Sequence, residues 1–204
     1  MSQGMRDIFL DGLKILDLLE ITGSTAVTAA WVNCDQSSVS RTYRRVSNEL
    51  NLAFCKHAGR YAARNNHALL DCLRQAAQLH RLSQGMQRLQ WVCHVEPELM
   101  APWQPPTEPM PRNWVCERHS LELVQRRVID LAVMPRARAE SARVEAEHPS
   151  GAGEPLTLLP LFNGSSLAAL VPSEHHQHCS LRAWLAAGNS GSATMTRILA
   201  AATA

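Results

Sequence analysis

The stretch from Gln36 to Leu50 constrains this chain more than any other part of it. Val39, Tyr43, Val46 and Leu50 recur at spacings of four, three and four, which makes one buried stripe on an α-helix. Asp35, just before it, is a residue type that caps helix N-termini by accepting orphan backbone N–H groups. Off the stripe lie Gln36, Ser37, Ser38, Ser40, Arg41, Thr42, Arg44 and Arg45. No acid joins them until Glu49, whereas ordinary solvated helices mix the two signs. From Gln36 to Arg64 there are six Lys/Arg against one acid. Small hydrogen-bonding side chains beside arginines suit a helix that enters a major groove, reads base edges and touches phosphates. Double-stranded DNA is the expected partner.

The flanking residues extend that expectation into a domain. Residues 6–20 predict a first helix with Phe9, Leu13 and Leu16 on one face, and Gly23 ends it. Ser24 or Thr25 caps a short second helix, in which Ala26, Ala29 and Ala30 are small enough for helices to cross closely. After the basic helix, NLAFCKHAGRYAARNNH reads as a short β-wing that brings Lys56, Arg60 and Arg64 to the DNA backbone. Residues 1–65 are therefore expected to form a winged helix-turn-helix.

A long helix is expected over 66–89, with Ala68, Cys72, Gln75, Leu79, Leu82, Met86 and Leu89 as a coiled-coil seam. The sites assigned to dimerisation are Cys72, Leu79, Leu82 and Met86. On periodicity alone, a helix packed on its own domain is a close second reading. Net charge is only +2, but residues 1–89 hold eleven Lys/Arg against seven Asp/Glu and residues 90–204 hold nine against eleven. A basic front on a mildly acidic back suits a nucleic-acid module joined to something else. In the back half, 89–95, 113–118, 129–134, 156–162 and 166–172 read as strands, with a short helix at 98–103 and another at 120–127 capped by Ser120. Strand–helix–strand order implies a parallel sheet. The polar stretch 136–154 reads as a mobile loop, and 188–204 as a disordered tail.

Several function classes are disfavoured. No apolar run approaches a membrane span and the N-terminus has no signal-peptide core, so a cytoplasmic location is expected and no membrane partner. The six cysteines are widely spaced and read as small buried apolar residues, without disulfide or zinc. EHHQHC at 174–179 is too short a tract to wrap one ion with all its ligands. His119 and Ser120 adjoin, but no Gly-x-Ser-x-Gly or partnered acid accompanies them. The five tryptophans read as core. No enzyme, metal or cofactor is expected.

SSVSRTYRRVSNEL resembles the recognition helix of LysR-type transcriptional regulators, with Gln36, Val39, Ser40, Arg41, Tyr43, Arg44 and Val46 matching in order. Phe54 and Lys56 are similar to the Phe-x-Arg that follows that helix, and Asp130, Leu131 and Ala132 to an Asp-Leu-Ala of the effector domain. The segment 169–184 looks like the approach to that domain's crossover. Ser47, Asn51 and the Asn65-Asn66-His67 run depart from the family pattern. The resemblance implies an α+β chain: winged helix-turn-helix, linker helix, then over 90–187 a partial α/β lobe like that of periplasmic binding proteins. Because the family's ligand cleft lies between two such lobes, no small-molecule effector is expected. The implied activity is dimeric, DNA-binding regulation, as a homodimer or tetramer. The alternative is an interaction protein that modulates full-length relatives by forming mixed dimers.

Overall fold

The computed structural model describes residues 11–84, 86–91, 107–108, 117–146, 155–160, 167–175 and 182–183. The chain is a mixed helix-and-strand protein, and it divides into two units, Met1–Gln78 and Leu79–Ala204, with the boundary inside a helix.

In the first unit, helix α1 (Leu13–Thr22), α2 (Thr25–Trp31) and α3 (Gln36–Glu49) precede a hairpin of β1 (Phe54–His57) and β2 (Arg60–Ala63), and α4 (His67–Ser83) follows. Gly23 ends α1 with φ 63, its N–H returning to the Leu19 carbonyl. That left-handed conformation is one glycine adopts without steric cost. Ser24 caps α2 by accepting from the Val27 N–H. Asp35 occupies the N-cap position of α3 in an extended conformation, but its side chain makes no capping hydrogen bond. Val39 and Val46 are fully buried, with Tyr43 and Leu50 half-buried beside them, so the stripe reads as expected.

The close helix crossing is made elsewhere than expected. Ala26 and Ala30 are exposed and only Ala29 is buried. Gly12 is the position that lets α1 meet α3, since a Cβ there would stand 2.6 Å from Val46 Cγ2. Trp31 is exposed rather than core, at 38%. Cys34 is half-buried and Cys55 and Cys72 are exposed, all three as free thiols, because they sit on turn, strand and helix faces that point outward.

Helix α4 is shorter than the sequence suggests. It stops at Ser83, where the Gln84 N–H bonds to His80 O and Arg81 O and the Met86 N–H to Arg81 O. Residues Gln87–Trp91 then form strand β3, so Met86 and Leu89 lie beyond the helix. Leu82 is 1% exposed and packs within its own chain. The exposed apolar row that remains is Leu69, Cys72, Ala76 and Leu79.

The second unit holds a five-stranded sheet in the order β4-β3-β5-β7-β6, where β4 is Thr107–Glu108, β5 Leu131–Pro135, β6 Leu156–Pro160 and β7 Leu167–Pro172. β3 pairs in parallel with β4 and β5, whereas β7 runs antiparallel to both β5 and β6. The sheet is thus mixed, against the expectation of a parallel one. Only six residues separate the end of β6 from the start of β7, too few for the crossover that a parallel pair needs, so the two pair antiparallel. Helix α5 (Glu117–Gln125) begins before Ser120, which is buried inside the helix with no hydrogen-bond partner for its hydroxyl, so it is not the N-cap. Of the strand expected over 113–118, Glu117 and Arg118 are helical, and 113–116 lie outside the described residues. The expected loop from 136 begins instead as α6 (Arg136–Ala146). Four alanines and the Arg136–Glu140 pair at 3.0 Å supply helix propensity that its polarity conceals. The expected short helix at 98–103 and the tail from 188 lie outside the described residues.

Two buried ion-pair clusters tie these elements. Asp130, 1% exposed, accepts from Arg81 Nε at 3.1 Å and Nη2 at 2.7 Å, and from the Arg88 N–H at 2.7 Å. In the first unit Arg74 on α4 is fully buried against two acids of α1. Its Nε donates to Asp17 Oδ1 at 2.9 Å, and its Nη2 forms an ion pair with Glu20 Oε1 at 2.9 Å. Burial pulls this guanidinium's pKa down, but attraction to Glu20 and then Asp17 more than offsets it, and the pKa ends above arginine's ordinary value. Arg74 therefore stays charged at every accessible pH. Removing it takes the cation away from two buried carboxylates, so Arg74→Ala is expected to cost about 3–5 kcal/mol of stability. Urea unfolding followed by circular dichroism measures the loss, and a change under 1 kcal/mol would contradict this account.

Candidate nucleic-acid interface

The expected contact residues lie in the first unit, on α3 and on the hairpin and its edge. Gln36, Ser37, Arg41, Arg44 and Arg45 are exposed on α3, and Ser38, Ser40 and Thr42 are half-buried along its flanks. Several are held by neighbours. Gln36 Nε2 donates to Thr25 Oγ1 at 2.8 Å, which ties the start of α3 to the start of α2. Arg41 Nη2 donates to Ser38 Oγ at 3.2 Å, one turn back on its own helix. The Arg44 guanidinium lies over the Tyr43 ring at 5.9 Å. Its pKa is raised, first by its hydrogen bond to the Tyr43 side chain and then by the charge interaction with the same group, so Arg44 remains a cation.

The hairpin is fastened to α3 through aromatic rings. Tyr43 meets Tyr61 edge-on at 5.7 Å and Phe54 at 6.2 Å, while Phe54 and Tyr61 stack at 5.8 Å. Burial raises the Tyr61 pKa and Tyr43 raises it further, against the opposing pull of Arg44, so the phenol stays neutral. Lys56 lies over the Tyr61 ring at 5.7 Å, and Lys56, Arg60 and Arg64 are all exposed. In the sequence Tyr43 stands out as part of a helical stripe and of the recognition-helix pattern, not as part of an aromatic cluster. The alternation of Phe54 and Tyr61 with exposed cations was the signal that could have revealed the three-ring cluster.

Two asparagines close the base of the hairpin. Asn65 Oδ1 accepts from the Ala53 N–H and Asn65 Nδ2 donates to Asn51 O at 3.1 Å. Asn66 Nδ2 donates to Leu50 O at 2.9 Å. Asn51 and Asn66 both take positive φ, of 52 and 53, a conformation asparagine tolerates better than most residues. At the other end Ala58 and Gly59 have φ of 48 and 84, forming the two-residue connection that suits a tight hairpin.

Four residues were assigned to pairing between chains. Cys72 and Leu79 are exposed on α4, Leu82 is buried, and Met86 is exposed beyond the helix end. Among the described residues no three metal-ligating side chains come together, and of the tract 174–179 only Glu174 and His175 are described. Glu174 binds Arg127 at 2.6 and 3.0 Å and stands 3.0 Å from His175 Nε2. No described helix is long and apolar enough to cross a membrane.

No protein-family model matches the sequence, nor does any curated protein. Solved structures similar to the chain are regulators of the LysR family. A full-length OxyR variant from Pseudomonas aeruginosa has a TM-score of 0.35 and 16% identity, over 61% of this chain and 49% of that one. Full-length LysG from Corynebacterium glutamicum, with its effector arginine bound, has a TM-score of 0.31 and 18% identity, over 74% and 55%. A LysR family transcriptional regulator has a TM-score of 0.28 and 11% identity, over 60% and 49%. The chain spans about half the length of these proteins.

Asn65→Ala should lower the stability of the first unit by roughly 1 kcal/mol and speed amide exchange at Ala53. Asn65→Asp keeps the acceptor oxygen and should slow that exchange relative to alanine. Equal exchange rates in the two variants would show that Oδ1 does not hold the strand.

Proposed function

We propose that the chain is a DNA-binding transcription regulator of the LysR type, with 1–65 as a winged helix-turn-helix and α3 as the helix inserted in the major groove. The observation that carries this reading is the exposed face of α3, where Arg41, Arg44 and Arg45 stand without an acid until Glu49. The hairpin adds Lys56, Arg60 and Arg64 beside it, a supply of cations suited to phosphate oxygens. In this reading Gln36, Ser37, Ser38, Ser40 and Thr42 contribute hydrogen bonds to base edges or to the backbone. Gln36 must exchange Thr25, and Arg41 must exchange Ser38, for DNA partners on binding.

The functional species is proposed to be a dimer. Leu69 and Leu79, at 38% and 43% exposure, share a face of α4 with Cys72 and Ala76 at spacings of three, four and three. That row matches a helix-pairing seam, about half as long as the one expected from sequence and slightly rotated from it. A second copy of the chain would cover it, and two-fold symmetry would place two α3 helices on two half-sites. The protein is proposed to act by binding rather than by catalysis, without a cofactor.

Arg41→Ala is expected to cost about 1–3 kcal/mol on the preferred sequence and to relax base preference at one position. Arg60→Ala should instead weaken all sequences alike and reduce the salt slope by roughly one unit. Binding selection from random duplexes, run on both variants, separates these outcomes. Unchanged base preference in the Arg41 variant would remove it from base reading. For the dimer, Leu79→Glu is expected to place a charge in the seam and produce monomers. An unchanged dimer in sedimentation would exclude this face.

A further inference from the structure

We propose that the cleft on the far flank of α3 seats a second DNA backbone strand, with Lys14 of α1 as its anchor. This inference rests on the DNA-binding reading above. The cleft has a volume of about 530 Å³ and lies between the start of α1, the end of α2 and the α3 flank that carries Ser38, Thr42 and Arg45. Those three residues follow one another at spacings of four and three, so they form one side of the helix. The opposite side is occupied: Tyr43 packs on the hairpin rings and Gln36 bonds to Thr25.

That asymmetry has a geometric meaning. A helix in a major groove about 12 Å wide has a phosphate backbone on each side. The hairpin cations meet one strand. On the other flank of α3 the cleft brings two cations together, since Lys14 and Arg45 both line it. Its polar groups are those that commonly contact phosphate and sugar: an ammonium, a guanidinium, the hydroxyls of Ser38 and Thr42, and the amide of Asn33. The indole of Trp31 and the side chain of Ile15 give apolar surface of the kind a deoxyribose ring covers. It also accounts for a large aromatic left exposed beside a polar helix. Asp11, one turn before Lys14, is the one acid in the lining, so cations exceed acids there by two to one. Lys14 already has a partner in the free protein, and that contact is exchanged for phosphate on binding.

The test compares full-length wild type, Lys14→Gln and Lys14→Arg by fluorescence anisotropy on the preferred duplex and on a random duplex, over a range of salt concentrations. Lys14→Gln is expected to lower the slope of log affinity against log salt by about 0.9 on both duplexes, and Lys14→Arg to restore it. Saturating duplex should also slow alkylation of Cys34, which lines the same cleft, by several-fold. If wild type binds DNA while Lys14→Gln keeps the full slope and Cys34 reacts unhindered, this inference fails and the DNA-binding reading stands. A loss confined to the preferred duplex would overturn the backbone assignment, because phosphate contacts ignore sequence. If wild type binds neither duplex, both readings fall together.

Discussion

The first unit depends on a charge that cannot leave. Arg74 is fully buried, and a guanidinium out of water must be met by carboxylates held at a fixed distance. Asp17 and Glu20 provide them from successive turns of α1, three residues apart on one face. An apolar contact at this point would tolerate sliding along the helix, whereas a guanidinium between two carboxylates does not. The pairing therefore sets the register of α4 on α1. The apolar core around Leu16, Leu19, Val39, Val46 and Leu70 then fills in about that register.

What was legible in the sequence is what repeats locally. Helix α3 could be read because a 3.6-residue period and an acid-free face are written into fourteen consecutive residues. The hairpin could be read from its cations and its glycine, and β6 and β7 from their apolar runs. Features fixed by distant partners could not. Nothing adjacent to Arg74 announces that its acids lie more than fifty residues earlier. The end of α4 at Ser83 was hidden because the heptad pattern continues by coincidence into Met86 and Leu89. Leu82 fits an exposed seam by spacing and is nonetheless covered by its own chain. Helix α6 was hidden by its polarity, since amphipathic pattern was used to find helices and this one is supported by alanine content and a local ion pair.

The candidate interface shows the same division. Every cation assigned to DNA from sequence is exposed, because long charged side chains rarely sit elsewhere without partners. How those side chains are held was not legible. The Arg41–Ser38 bond, the Gln36–Thr25 bond and the three-ring cluster under the hairpin arise from proximity created by folding. The departures from the family pattern at Asn65 and Asn66 acquire a physical role here, as side chains that supply hydrogen bonds to three backbone groups around the strand base.

Gly23 bears on the hairpin as well as on the helix it ends. A Cβ at this position would lie 2.7 Å from the carbonyl oxygen of Gly59, the residue at the hairpin's tip. The end of α1 and the turn of the hairpin therefore rest on each other with no side chain between them, as two machined faces meet without a shim. The height of the hairpin above α3 is thereby gauged by α1, an element that carries none of the basic face. A single methyl group at residue 23 would act as a spacer: it would tilt the cations of the hairpin relative to those of α3 while leaving every charge in the sequence unchanged. Under the proposed reading, two cationic surfaces that meet one DNA duplex tolerate little such misalignment. Residue 23 is thus a dimensional standard for the interface, recorded as the absence of an atom.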